Sequence, residues 1–182
     1  MRTPQHKHRR RTAGVAALTL GASTGLAILA TSGTAADGAG PQASAPAPQI
    51  SVLAGHADFP DDIDVKVKRS LDGGPTQVLN LMDPGHIVVA RVDLSPGAAF
   101  PWHTHPGPVV ISIAQGQLTY QQSTDCIERL YDTHQALVDP GNIVHTAWNA
   151  GSTDTVLYAT FYDVPALGAP TVPADRQDGW CG

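Results

Sequence analysis

From residue 63 onward the chain alternates apolar and polar positions with a period of two. Ile63, Val65 and Val67 are separated by Asp64 and Lys66, the pattern of a strand with one buried face. Residues 77–81 and 87–94 read as further strands, with Asp83-Pro84-Gly85 as a turn between them. Ser95-Pro96-Gly97 is a second turn. Residues 109–114 form an apolar, mostly β-branched run, Gly116 breaks it, and 118–121 resume. Ser123-Thr124-Asp125 reads as a hairpin tip with 128–131 returning, and 136–138, 144–149 and 155–162 complete the series. No stretch carries an apolar stripe of period 3.6 over three turns. Many short strands at regular spacing predict an all-β fold, a sandwich or a barrel.

Composition sharpens this. The 182 residues include 18 Gly and 15 Pro, and the single Glu is Glu128, so good helix formers are scarce and turn formers abundant. Charge is unevenly placed. Residues 1–36 hold five of the 11 Lys and Arg and none of the 16 Asp and Glu, which leaves an acidic body behind a basic leader. An acidic body is a poor partner for nucleic acid or for an anionic membrane. In the leader, Lys7 and Arg9 to Arg11 precede an uncharged run over 12–30 and small residues at Gly33-Thr34-Ala35-Ala36. This layout predicts a secretory signal peptide over 1–36, a secreted or extracytoplasmic location, and no stable membrane insertion after cleavage. Residues 37–50 read as a Pro/Ala-rich linker, 51–164 as the β domain and 165–182 as a C-terminal tail. Only two cysteines exist, Cys126 and Cys181. In an exported chain an even pair predicts a disulfide, which would pin the tail to the body.

The chemistry lies in two segments. In the first, His103 and His105 are two residues apart, so on a strand both imidazoles face the same side. In the second, a turn at Pro140 delivers His145 onto a strand. A neutral imidazole offers one nitrogen to a metal while the other takes a supporting hydrogen bond. Val109, Ile111 and Ile113 share one strand face and are expected to line the interior of a barrel. By alternation Phe100, Trp102 and Trp148 are turned away from the histidines, toward packing.

Together the two segments resemble the paired motifs of the cupin superfamily. The first motif runs Gly, five residues, His-x-His, three or four residues, Glu, six residues, Gly; Gly97, His103, His105 and Gly116 match it. The second runs Gly, five residues, Pro-x-Gly, two residues, His, three residues, Asn; Pro140, His145 and Asn149 match it. The resemblance implies a double-stranded β-helix, a jelly-roll-like β-barrel, holding a metal near its mouth.

Three positions depart from the motifs. Val109 (or Val110, with the longer spacing) stands where the family has its Glu ligand, and Glu128 is badly placed to replace it. His134 and Asn142 replace the two glycines of the second motif. Asn142 suits a left-handed backbone, and His134 reads as a solvated surface residue. What remains is a three-histidine set of His103, His105 and His145. The resemblance then implies one divalent transition metal (Fe, Mn, Zn, Cu or Ni) and a small-molecule ligand or substrate, with a homodimer left open. The activity it implies is that of a metal-dependent oxygenase, an oxidoreductase, on a small anionic organic substrate. The alternative is a binding module that holds a metal or an apolar ligand without turnover.

Overall fold

A computed structural model of the chain describes residues 45–71, 74–175 and 181. The signal peptide and most of the linker expected from the sequence lie outside the described residues. Twelve strands and no helices occur among the described residues, so the all-β expectation holds. Ten of the strands form two five-stranded antiparallel sheets. The first contains β1 (Gln49–Ala57), β4 (His86–Leu94), β11 (Thr155–Val164), β6 (Val109–Gln115) and β9 (Ala136–Asp139), in that order. The second contains β12 (Val172–Pro173), β5 (His103–Thr104), β10 (His145–Trp148), β7 (Gln117–Gln122) and β8 (Glu128–Asp132). A separate hairpin is made by β2 (Asp64–Ser70) and β3 (Thr76–Met82). This is the double-stranded β-helix that the motifs implied.

The period-two reading explains why the two sheets face each other. On β4, Val88, Ala90, Val92 and Leu94 are buried, while Val89, Arg91 and Asp93 between them are only half-buried. Val109 and Ile113 of β6, Leu118 and Tyr120 of β7, and Leu157 and Ala159 of β11 join Val92 and Leu94 in one core. Each fully buried Val, Leu or Ile of this set contributes about 1.5–3 kcal/mol by leaving water. The hairpin is held to the barrel by Arg69, whose buried guanidinium donates to Val138 O of β9 and to Gln77 Oε1 of β3.

Two motif glycines are fixed by close approach. Gly116 turns the chain from the first sheet into the second at φ +73°, and a Cβ there would lie 2.6 Å from Asp154 O. Gly141 adopts φ +99° with its backbone packed against Gly107. It is Gly141, not Asn142, that takes the left-handed conformation of the Pro140 turn, so the reason given above for tolerating Asn142 does not apply. His134 does take it, at φ +69°, and is exposed. The motif asparagine is structural. Buried Asn149 donates to Leu94 O and Thr153 O and accepts from Gly151 N–H, tying the end of β10 to β4.

The ends of the barrel differ from the sequence reading. β1 opens at Gln49, two residues inside the expected linker. The tail is more than a tethered coil: β12 pairs with β5, bringing Val172 opposite Thr104 and Pro173 opposite His103. Cys126 and Cys181 form a disulfide across 55 residues of sequence.

Candidate metal centre

Strand pairing assembles the three histidines. His145 opens β10 directly opposite His103 of β5 in the antiparallel register, so both side chains leave the sheet on the same side. His105 follows one residue beyond β5 and returns to that side by the period of two. The ring centroids are 4.2 Å apart for His103 and His145, 4.9 Å for His103 and His105, and 5.0 Å for His105 and His145. One potential ligand nitrogen from each lies within 4.8 Å of the other two.

Each ring is oriented from behind by a backbone carbonyl. Nδ1 of His103 is 2.7 Å from Pro101 O, that of His105 is 2.8 Å from Pro170 O, and that of His145 is 3.0 Å from Ile143 O. A carbonyl can only accept, so each Nδ1 carries the hydrogen and each Nε2 keeps its lone pair. Burial lowers all three pKa values from 6.5 to about 4; the neighbouring His145 adds to the shift at His103. At neutral pH the site holds three uncharged imidazoles, the form in which histidine binds metal. These residues fit a divalent transition metal on the chemistry of their donor atoms alone.

Val109 occupies the place of the family's carboxylate ligand. Its side chain is buried in the wall beside the histidines. Val110 is its neighbour on the opposite strand face, and Glu128 is exposed at the start of β8, so neither position supplies a carboxylate here. His134 likewise stays out of the cluster.

A buried carboxylate is nevertheless present. Asp139, the last residue of β9, is wholly buried, and its Oδ2 lies 3.2 Å from Nδ1 of His145. Tyr120 Oη donates to Oδ2 at 2.5 Å, Gly141 N–H donates to Oδ1 at 2.7 Å, and Gln122 Nε2 donates to the Tyr120 oxygen at 2.8 Å. Burial raises the Asp139 pKa, opposed by His105, by the Tyr120 hydroxyl and by Gly141 N–H. Sequence reasoning missed Asp139. The available signal was an acidic residue closing the apolar run Ala136-Leu137-Val138, immediately before the motif proline.

The histidines open into a small cavity of about 90 Å³. Of the expected wall residues, Val109 and Ile111 line it, while Ile113 is buried in the core and does not reach it. Phe100 corrects the alternation argument: it lines the cavity and sits 5.7 Å from His103, ring to ring. Pro101 interrupts the strand between them, so a period counted from His103 does not extend back to Phe100. Trp102 and Trp148 stay out of the wall. The tail enters the site as well, through Pro170 and Thr171 in the wall and the Pro170 carbonyl on His105.

Comparison with known proteins gives the same family as the motifs. A family model described as Cupin matches residues 69–166, just over half of the chain. No curated protein matches. Among solved structures, a double-stranded β-helix protein from Klebsiella pneumoniae subsp. pneumoniae is 17% identical, with a TM-score of 0.48 over 75% of this chain and 90% of that one. An oxalate oxidase is 23% identical, with a TM-score of 0.42 over 48% of this chain and 46% of its own. The polyketide cyclase RemF from Streptomyces resistomycificus is 14% identical, with a TM-score of 0.43 over 52% and 65%.

Proposed function

The chain belongs to the cupin family, and from that premise we propose that His103, His105 and His145 hold one divalent transition metal that receives a small organic ligand from the cavity. The observation that carries this reading is the convergence of three buried, neutral imidazoles, each with Nδ1 committed to a carbonyl. Three neutral ligands leave the charge of a divalent ion uncompensated, so the remaining coordination positions favour an anionic donor such as a thiolate, an enolate or a carboxylate. Among the described residues of the wall, only the three histidines, Tyr120 and Thr171 carry polar side-chain groups, with no Lys or Arg among them to pair with a second anionic group. The ligand this suits is monoanionic at one end and apolar over the rest of its body.

The wall also bears on turnover against binding. The hydroxyl hydrogen of Tyr120 is already given to Asp139, so no wall residue besides the histidines is poised as a general acid or base. In the enzymatic reading, a bound iron would supply redox chemistry toward dioxygen. This chain's residues would orient the substrate: Val109 and Ile111 would fix its apolar body within a largely apolar wall. The same lack of acid–base groups favours the second reading, a module that binds without turnover. Oxygen uptake by the iron-loaded protein, with a panel of thiols, diketones and phenols, separates them. Uptake with one class supports the oxygenase, whereas binding of that class without uptake supports the module.

We also read the protein as exported. The basic leader and the small residues at 33–36 support it, as does the Cys126–Cys181 disulfide, since such bonds persist in oxidising compartments. Intact-mass analysis of secreted material is expected to give a mature N-terminus near Ala36 or Asp37; a full-length, membrane-retained chain would overturn this.

A further inference from the structure

The β6–β9 ladder places Val109 directly opposite Asp139. Residues paired in this way project to the same face of the sheet. The position that lacks its carboxylate and the buried carboxylate the sequence did not advertise are therefore two sides of one rung. We propose that Asp139 is the displaced anionic member of this metal centre, acting from behind His145 to orient its ring and to supply the negative charge absent at Val109. The inference rests on the metal-binding reading above.

Hydrogen-bond donors converge on this carboxylate. Tyr120 Oη–H points at Oδ2, because the Tyr120 oxygen already accepts from Gln122, and Gly141 N–H points at Oδ1. The third group nearby is Nδ1 of His145, 3.2 Å from Oδ2, whose hydrogen is given to Ile143 O. Two hydrogen bonds donated onto the two oxygens stabilise the carboxylate against the cost of its burial. The guanidinium of Arg69 is anchored on the carbonyl of the adjacent Val138. A carboxylate behind a metal-bound imidazole raises the basicity of the ligating nitrogen, and loss of such a partner costs about 10–100-fold in metal affinity. Because the charge reaches the ion through a ring, the open coordination positions stay free for ligand. A carboxylate at Val109 would itself occupy one of them.

The test uses zinc and cobalt, with dissociation constants read by competition against a chromophoric chelator. In the mature protein, Asp139→Asn should weaken binding of both metals by about 10–100-fold. Adding Val109→Glu to Asp139→Asn should recover most of that loss, since the charge returns from the other side of the rung. Unchanged affinity in Asp139→Asn overturns the proposal. So does a loss that Val109→Glu fails to recover in a protein that remains folded, because Asp139 would then serve packing alone. Should Asp139→Asn not fold, the zinc-loaded wild-type protein gives a second readout. Its His145 Nδ1 proton should resonate further downfield than those of His103 and His105, which face only carbonyls. Three equivalent protons would overturn the proposal. A wild-type protein that takes up no metal would instead defeat the metal-binding reading itself.

Discussion

The two sheets of the barrel divide the work unequally. The second sheet provides His103, His145 and Tyr120, and His105 follows directly from its β5. The first sheet faces them with Val88, Ala90, Val92, Ile111, Leu157 and Ala159, and its one buried charge is Asp139 at the edge strand. One sheet carries the candidate ligands and the other shapes the cavity. The division follows from where the barrel can meet the cost of burying polar groups. Strands β5 and β10 are short and flanked by turns, whose free carbonyls at Pro101 and Ile143 satisfy the imidazoles. In the long strands β4 and β11, carbonyls are engaged with neighbouring strands on both sides. A polar side chain there would find fewer partners.

The division can be broken most severely on the binding sheet. His145→Ala, or the same change at His103 or His105, should abolish tight binding of every first-row divalent metal while the protein stays folded. Two imidazoles alone hold such ions poorly against water and buffer. Metal content after gel filtration measures this, and full occupancy in His145→Ala would remove the histidines from the account.

A change on the shaping sheet should do the reverse. Leu157→Ala deletes a buried side chain of the core and should cost about 2–5 kcal/mol in urea unfolding. Metal uptake per folded molecule should stay at the wild-type level. If uptake falls with stability intact, the two sheets are not separable.

The disulfide lies between these cases because the tail belongs to both structure and site. Cys181→Ser should lower stability by about 2–4 kcal/mol. It should also weaken metal binding by less than any histidine deletion, because releasing the tail loosens Pro170 O from His105. Unchanged metal affinity alongside the loss of stability would show that β12 holds without the cross-link.

A graded effect separates the sheets by pH. The buried histidines have a folded pKa of about 4 against 6.5 when unfolded, so between these values the unfolded chain binds more protons. Their neutral burial costs no proton free energy above pH 6.5. As pH falls from 6.5 toward 4 the metal-free protein should lose stability, by up to about 3 kcal/mol for a single group. Unfolding midpoints at pH 7, 5.5 and 4.5 read this directly. Replacing His103 by Gln should flatten the dependence, and an unaltered slope would assign the acid sensitivity elsewhere.

The legible parts of the sequence were those governed by a local period. β2 could be read from alternation and β6 from its apolar, β-branched run, because each is a regular strand over its whole length. His103 and His105 could be paired because strand geometry puts residues two apart on one face, and His145 joined them through the resemblance of the second motif. The tail could not be read in this way. β12 is two residues long and exists through pairing with β5, so no local pattern marks it. Phe100 was misplaced because Pro101 interrupts the strand on which the period was counted. Asp139 was hidden for a related reason. Its role arises from register across the ladder, which places it beside Val109 at a sequence distance of thirty residues.

The central claim is that this barrel is a metal site built from three neutral imidazoles. Metal stoichiometry of folded, mature wild-type protein, titrated in turn with Fe, Mn, Zn, Cu and Ni ions, tests it most directly. The account predicts one tightly held ion per chain for at least one of these metals, lost when His145 is changed to Ala. Folded protein that retains no more than a trace of any of them would contradict it and leave the cupin fold without its metal chemistry.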